Sequence, residues 1–403
     1  MKRSHPVEGD SDGRAISASH RSETAMEVLG ATEFGPARSV LSFCKSDGPL
    51  PLPSGPTQVR IRVTYAELNP VDHHKLGMKP DGTAVPKDKS PFVVGYGGSG
   101  VVDAVGAPGD GDDGGADEAT RSLMGKRVVF LVNPAGAGGS YGTHVLVDRR
   151  TVAVVPDVGV DDADAACIPV AGCTAYESLE KAGLSLDGLR GGDVSAKDSD
   201  AGAGRTLLVV GGAGGVGSWT TLLARAAYPS LRIACTASSA ESAEWCQSMG
   251  ANDVIMGHEK AAEVLGGGRN GSVDHVVCLA DPTPSLFGSM AEALRPYGKI
   301  CLVVAGEGIK SLDLGFVFFK SGTVATETVF SSIRAGYRLD QAAEMETILL
   351  LLAKGRIKRA PLADEWQKIQ GTINWKEALA DGGCIDVVGS GHCRGKLVMK
   401  INN

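Results

Sequence analysis

The clearest chemical signal is the segment GGAGGVG, residues 211–217, which contains G-x-G-x-x-G at Gly212, Gly214 and Gly217. It directly follows the apolar run TLLVV and opens the stretch VGSWTTLLARAA, whose apolar residues recur at helical spacing. Glycines at these positions permit a tight turn, close approach of the backbone to a pyrophosphate, and close contact between helix and strand. The motif therefore predicts a dinucleotide site. The residues expected at the phosphates are Gly212, Ala213, Gly214, Gly215, Val216 and Gly217.

The residues after the next apolar run bear on the choice between NAD and NADP. An NAD site places Asp or Glu about 20 residues beyond the glycine motif, where it binds the ribose hydroxyls. Here the segment is TASSAES (236–242), with Ser238 and Ser239 at the strand end and no carboxylate before Glu241. Small hydroxyl side chains leave room for a 2′-phosphate, so the sequence predicts NADP(H) bound by Ser238 and Ser239. Ser238 can also cap the following helix, and the two roles are compatible.

Composition excludes several classes of protein. Hydrophobic residues make up 43% and charged residues 22%, as in a soluble globular protein, and 403 residues predict two or three domains. A net charge of −7 argues against nucleic-acid binding, and no apolar stretch is long enough to span a membrane. Because 55 residues are glycine, a bare structural turn is the alternative for the glycine motif. The strand–turn–helix context favours the dinucleotide site.

Two further features indicate the compartment. Residues 1–25 are polar and include acidic residues, which predicts a disordered tail on a cytoplasmic protein and not a secretory signal. The nine cysteines are scattered without a C-x-x-C pair. This pattern favours buried free thiols over a disulfide framework or a structural zinc site.

The chain divides into two parts with different periodicity. From about residue 57 to 150, short alternating strands and turns indicate a β-rich, barrel-like region. After about residue 170, continuous apolar runs alternate with helical stretches, which indicates a parallel sheet covered on both faces. A long helix and a final strand, GKLVMKI, follow from about residue 338. The sequence therefore predicts an α/β protein that combines these two parts.

Several blocks together resemble the medium-chain dehydrogenase/reductase superfamily, in particular its zinc-free quinone oxidoreductases and its zinc-type alcohol dehydrogenase-like branch. The blocks are LNPVDHHKLG (68–77), FVVGYGGSGVVDAVG (92–106), GSYGTHVLVD (139–148), AACIPVAGCTAYESL (165–179), LLVVGGAGGVGS (207–218) and CRGKLVMKI (393–401). The resemblance implies a GroES-like catalytic domain made from both chain ends and a Rossmann domain with a doubly wound parallel sheet. The implied boundaries are 1–25 for the tail, 26–170 for the first part of the catalytic domain, 171–337 for the NADP-binding domain and 338–403 for the return.

The departures from that family concern metal chemistry. Zinc-dependent members carry a Cys where this chain has Asn69, and a His-Glu pair where it has Gly95 and Tyr96. The four-cysteine structural lobe is missing as well. Catalytic zinc needs three protein ligands and an open position. The comparison therefore implies an enzyme without zinc.

The resemblance also implies residues that line the substrate cleft. Asn69 is expected as an orienting amide, Tyr141 as a second polar group near the nicotinamide, and His74 as a proton donor or phosphate contact. Thr174 matches a family position near the nicotinamide. The alternatives are a strand-breaking turn at Asn69, an exposed surface position for His74 and a helix cap at Thr174.

Hydride transfer without a metal depends on positioning the nicotinamide against an electron-poor acceptor such as a quinone or an α,β-unsaturated carbonyl. The implied function is NADPH-dependent reduction of such a small molecule by a homodimer. One alternative is an enoyl-thioester reductase, which typically has a tyrosine in the substrate block, where this chain has His73 and His74. Another is a non-catalytic NADPH-binding protein.

Overall fold

The structure is a computed structural model. It describes residues 25–45, 49–106, 116–135, 138–192, 202–337, 339, 341–363, 373–391 and 393–402. Of the predicted N-terminal tail, 1–25, all but residue 25 lies outside these described residues.

Strands in the described ranges form two six-stranded sheets and a small three-stranded sheet. They are β1 (Glu27–Ala31), β2 (Leu41–Lys45), β3 (Gln58–Leu68), β4 (Phe92–Val93), β5 (Gly97–Val105), β6 (Arg127–Leu131), β7 (His144–Asp148), β8 (Val152–Val154), β9 (Thr206–Val210), β10 (Arg232–Ala237), β11 (Asp253–Met256), β12 (Val273–Cys278), β13 (Leu294–Leu302), β14 (Thr323–Thr326) and β15 (Leu397–Lys400).

The helices lie mainly in the second half of the chain. They are α1 (Ala37–Val40), α2 (Pro70–Leu76), α3 (Glu118–Arg121), α4 (Asp162–Ala166), α5 (Pro169–Lys181), α6 (Gly215–Ala227), α7 (Ala240–Met249), α8 (Ala261–Leu265), α9 (Pro284–Ala293), α10 (Gly315–Phe319), α11 (Phe330–Ala335), α12 (Gln341–Ala353) and α13 (Cys384–Gly389). None of them is long and apolar enough to cross a membrane.

One six-stranded sheet is antiparallel and combines strands from the first half of the chain with the late strand β15. Its order is β15-β3-β5-β6-β8, and β7 pairs with β3 as well. The long strand β3 alternates half-buried and buried residues over most of its length, as a strand with one face on the core should. The late strand β15 pairs with β3, with Leu397 opposite Leu68. The chain therefore returns to its first sheet, as predicted for a GroES-like domain built from both ends.

The other six-stranded sheet is parallel, in the order β11-β10-β9-β12-β13-β14. The run TLLVV forms β9 and is buried along its whole length, because helices cover both faces of the sheet. The strand order reverses between β9 and β12, and ligands of such sheets bind at that point. This topology confirms the predicted doubly wound Rossmann domain and the α/β fold. The boundaries 26–170, 171–337 and 338–403 stay predictions.

Buried side chains join the two parts of the molecule. Trp219 of α6 is fully buried, and its indole N–H donates to the carbonyl of Cys167 at 2.9 Å. Contact between helices α5 and α6 continues this core toward the parallel sheet. All nine cysteines are free, and only Cys44 and Cys393 are partly exposed. The prediction of free, mostly buried thiols is confirmed.

Candidate functional site

A cavity of about 790 Å³ lies where the two parts of the molecule meet. The chain segments that contribute most to its wall are 68–70, 213–217, 236–239 and 393–397. The first and last of these come from the antiparallel sheet, and the other two follow β9 and β10 of the parallel sheet. The cavity therefore lies at the reversal point of the parallel sheet, facing the end of β3.

The glycine-rich segment makes the turn from β9 into α6. Strand β9 ends at Val210, and α6 begins at Gly215 with Gly214 as its N-cap. A Cβ atom on Gly217 would lie 2.5 Å from the carbonyl oxygen of Gly211 and 2.7 Å from that of Gly212. The turn can therefore close this tightly only with glycine at 217, and it points the free N–H groups of α6 at the cavity.

Replacing Gly217 by alanine is expected to displace the turn and weaken binding of a nicotinamide dinucleotide at least about tenfold, since the predicted pyrophosphate site consists of backbone N–H groups. Fluorescence titration with NADPH measures the effect. The control is Gly188→Ala, because Gly188 has ordinary φ and no atom within 4 Å of an added Cβ. Equal affinity of the two variants would contradict the assignment of the turn.

The end of β10 supplies hydroxyl groups to the same cavity. Ser238 and Ser239 both line it. Ser239, not Ser238, is the N-cap of α7, and its hydroxyl accepts the backbone N–H of Ser242 at 3.2 Å. The helix-capping role that was the alternative for Ser238 is therefore performed by Ser239. The pKa of Glu241 is lowered by its own backbone N–H, by the Ser239 hydroxyl and by the charge of Arg394, which also lines the cavity.

Beneath the glycine turn, Thr236 links the two strands that carry the site. Its hydroxyl accepts the N–H of Gly211 at 3.0 Å and lies 2.6 Å from Nδ1 of His258. Burial lowers the pKa of His258, which favours a neutral ring that accepts the threonine proton. This chain of hydrogen bonds holds the first residue of the turn in place.

Asn69 stands at the junction of β3 and α2 and lines the cavity. Its extended backbone ends the strand, and its N–H donates to Oδ2 of Asp72 at 2.8 Å, as at a helix start. Its side-chain Oδ1 accepts a hydrogen bond from Nζ of Lys396 at 2.6 Å. Because an ammonium group only donates, this contact fixes which end of the amide is oxygen. The Nδ2 atom is buried and has no partner among the described residues.

Tyr141 and Asp72 form a buried pair behind Asn69. Both side chains are fully buried, and the tyrosine hydroxyl donates to Oδ2 of Asp72 at 2.9 Å. Burial raises the pKa of Asp72 to about 7, although hydrogen bonds from Asn69 and Tyr141 act in the opposite direction. Tyr141 is not among the described residues that line the cavity. The tyrosine hydroxyl therefore stabilises the start of α2 through its hydrogen bond to Asp72, on the side away from the cavity.

The remaining predicted residues lie outside the cavity wall. His74 is exposed on α2. The hydroxyl of Thr174 donates to the carbonyl of Val170 at 2.6 Å within α5, so Thr174 is an interior helix residue and not a cap. Gly212 does not line the cavity, although its neighbours Gly211 and Ala213 do. The structure thus brings together Asn69, both serines and residues 213–217.

Sequence reasoning missed three charged residues near the cavity. Lys396 and Arg394 line it, and Glu67 forms an ion pair with Lys396 at 2.9 Å. Glu67 and Lys396 are almost completely buried. The sequence did contain a signal, since Glu67 stands within the strand sequence YAEL and Lys396 directly precedes the apolar run LVM. A buried charge requires a partner, but the partner could not be named without the fold.

Comparisons with known proteins agree with this architecture. The model of the alcohol dehydrogenase GroES-like domain matches residues 55–157. A zinc-type alcohol dehydrogenase-like protein of Staphylococcus epidermidis is 30% identical over 70% of this chain and 74% of its own length. A 2-methylene-furan-3-one reductase of Solanum lycopersicum is 31% identical over 68% of this chain and 72% of its own length. A Rhizobium etli structure, solved as a candidate zinc-dependent alcohol dehydrogenase, superposes with a TM-score of 0.72 at 25% identity, covering 94% of this chain and 99% of the other.

Proposed function

Because this chain belongs to the medium-chain dehydrogenase/reductase superfamily and is an oxidoreductase, we propose that it transfers hydride from NADPH to a quinone or an α,β-unsaturated carbonyl without catalytic zinc. One observation carries the proposal. Asn69 lines the cavity that contains the glycine turn, and its buried Nδ2 is a donor without a partner among the described residues. The name of the tomato relative, a reductase of a 2-methylene-furan-3-one, describes a conjugated carbonyl of this kind.

The residues around the cavity fit NADP(H). The turn at 213–217 offers backbone N–H groups to the pyrophosphate, and Ser238 and Ser239 occupy the place where an NAD site has a carboxylate. Arg394 lines the same cavity, and its charge reaches Glu241 at the start of α7. Arginine is well suited to a phosphate because its planar N–H groups can bind two oxygens. We assign Ser238, Ser239 and Arg394 to the 2′-phosphate.

Replacing Arg394 by glutamine is expected to weaken NADPH binding about tenfold or more and to leave NADH binding within about twofold, since only NADPH carries the 2′-phosphate and a charged hydrogen bond contributes about 1.5–3 kcal/mol. Fluorescence titration with each nucleotide measures the ratio. Arg356→Gln, at an exposed residue that does not line the cavity, is the control. Equal losses for both nucleotides would assign Arg394 to the shared part of the cofactor.

Asn69 is the residue assigned to the chemistry. When bound, NADPH supplies a hydride from C4 of its nicotinamide. Hydride arriving at the β-carbon of an enone, or at a quinone, leaves negative charge on a carbonyl oxygen. The Nδ2 group of Asn69 can donate a hydrogen bond to that oxygen, and burial strengthens the interaction because water does not compete.

We propose a reaction without zinc because the positions of the zinc ligands in zinc-dependent relatives hold other residues in this chain. No group of three or more His, Cys, Asp or Glu side chains within the described ranges could hold a metal ion. Gly95 has a φ of +94°, and a Cβ there would lie 2.3 Å from Cδ1 of Tyr141. A histidine therefore cannot replace Gly95 without moving that ring. Stoichiometric zinc in the purified protein, measured by mass spectrometry of metals, would refute this part of the proposal.

The test of the function is oxidation of NADPH with a panel of acceptors, followed at 340 nm. The panel contains 1,4-benzoquinone, 3-penten-2-one and crotonyl-coenzyme A. Turnover of the quinone or the enone supports the proposal, and turnover of the thioester alone supports an enoyl-thioester reductase. Tight NADPH binding with no turnover of any acceptor would overturn the enzymatic proposal.

We propose a second copy of the chain as the protein partner. Within the described part of the chain, strand β14 is the last strand on its side of the parallel sheet, and nearby Phe318 and Phe319 are 78% and 86% exposed. An unpaired edge beside exposed aromatic side chains is a common association surface.

Light scattering after size exclusion should give a dimer mass for the native chain and a monomer mass for Phe318→Ser/Phe319→Ser. The control Leu52→Ser, at another exposed apolar residue, should stay dimeric. A monomeric native protein would contradict the proposal.

A further inference from the structure

Lys396 is buried in the cavity wall, with only 4% of its surface exposed. Its Nζ donates to Oδ1 of Asn69 at 2.6 Å, to the carbonyl of Leu68 at 2.7 Å and to Oε1 of Glu67 at 2.9 Å. An ammonium group has three N–H donors. All three are therefore used within the protein, and none is left for a ligand.

The partner carboxylate is held by main chain. Glu67 is fully buried, and its Oε2 and Oε1 accept the N–H groups of Val170 at 2.8 Å and Ala171 at 3.1 Å. Both N–H groups belong to the first turn of α5, where the helix dipole favours negative charge. Glu67 thus has a fixed position, and it fixes Lys396 in turn.

The same lysine contacts the glycine turn. The neighbouring Gly395 donates its N–H to the carbonyl of Ala213 at 2.9 Å. A Cβ on Gly215 would lie 2.4 Å from Cδ of Lys396, so the lysine stem lies directly against the start of α6. One residue therefore connects the predicted pyrophosphate site to the amide of Asn69.

We infer that Lys396, held by Glu67, is a positioning residue that fixes the amide of Asn69 with its oxygen on the lysine ammonium, which leaves the NH₂ group as the donor for a substrate carbonyl. The inference rests on the proposed function, because the amide donor matters for catalysis only if a carbonyl is reduced there. Burying an ion pair contributes little net stability, since desolvation offsets the attraction. Orientation of Asn69 accounts for the placement of the pair in the cavity wall.

Loss of this contact has a defined chemical consequence. Without Lys396, the amide can rotate by half a turn and place Oδ1 where the NH₂ group was. An amide oxygen facing a developing oxyanion repels it, whereas the NH₂ group stabilises it. Lys396 therefore acts through Asn69, and its effect should vanish when Asn69 is absent.

The kinetic test is a double-mutant cycle. Glu67→Gln/Lys396→Met removes both charges, so that neither is left buried alone, and Lys400→Met, at the end of β15, is the control. With the acceptor that the native protein turns over, the double substitution should lower kcat about tenfold or more, with a smaller change in KM. In an Asn69→Ala background, the same substitutions should lower kcat less than about twofold. Full additivity of the losses would overturn the inference.

A spectroscopic test does not depend on turnover. In ¹⁵N-labelled protein, the side-chain NH₂ signals of Asn69 are those that disappear in Asn69→Ala. They should shift in Glu67→Gln/Lys396→Met and stay in place in Lys400→Met, and unchanged signals in both would overturn the inference. If the Met variant does not fold, Glu67→Gln/Lys396→Gln replaces it. Shifted signals in a protein that turns over no acceptor would support the positioning role while refuting the proposed function.

Discussion

Replacing Asn69 by alanine is expected to lower kcat for quinone or enone reduction about 100- to 1000-fold, the range found when one oxyanion donor is removed. The alanine side chain donates no hydrogen bond, so the charge that develops on the substrate oxygen loses its buried partner. NADPH binding should change less than about threefold, because the turn at 213–217 and the residues after β10 remain intact. Steady-state kinetics and fluorescence titration measure the two effects separately.

Two controls separate the amide donor from the rest of the side chain. Asn69→Asp keeps the size of the side chain and an oxygen for Lys396 but removes the NH₂ group, so it should lose as much activity as the alanine variant. Asn374→Ala removes an asparagine that caps a short helical turn through the N–H of Lys376, outside the cavity wall, and should keep native kcat. Near-native turnover by Asn69→Asp would contradict the assigned role.

The second large effect concerns stability against pH. Burial raises the pKa of Asp72 from an ordinary 3.8 to about 7, so the folded protein binds this proton more tightly than the unfolded chain. The stabilising contribution is fully present below the ordinary value and is lost as pH rises through the folded value. Over that range the difference amounts to about 4 kcal/mol, since each pKa unit corresponds to ~1.4 kcal/mol.

Asp72→Asn removes this titration while keeping an acceptor oxygen for the N–H of Asn69. Urea unfolding at pH 5 and pH 8.5 should therefore show that the variant gains stability relative to the native protein at the higher pH. Tyr141→Phe should act in the opposite direction, because the hydroxyl that it removes stabilises the carboxylate. Parallel pH curves for native protein and Asp72→Asn would contradict the prediction.

Much of the fold could be predicted from local sequence patterns. Fully buried parallel strands must be continuous apolar runs, so TLLVV could be recognised as β9. The glycine turn could be located because its geometry tolerates so few side chains. The segment Asn69-Pro70-Val71-Asp72 also contained a readable signal, with an N-cap residue, proline in first position and an acid in the third. These three residues mark the start of a helix, so the segment is not the simple strand-breaking turn that was the alternative for Asn69.

Other parts of the site depend on contacts between distant segments. Asn69 and Lys396 are 327 positions apart, and they meet only because β15 pairs with β3. The burial of Tyr141 behind α2 is likewise a product of packing, so an aromatic hydroxyl predicted to face the cofactor instead supports Asp72. A single sequence shows that a buried charge needs a partner but does not show which one.

The pairing of β15 with β3 has a consequence for the order of events during synthesis. Strands of the antiparallel sheet come from segments before and after the parallel sheet in the chain, so during synthesis the Leu68 end of β3 lacks its β15 partner until residues 397–400 have been made. Domains that are contiguous in sequence can fold as they emerge. Here the Rossmann part can do so, but the cavity acquires its floor only when residues 393–397 leave the exit tunnel. The complete cavity wall can therefore form only after residues 393–397 have joined the sheet.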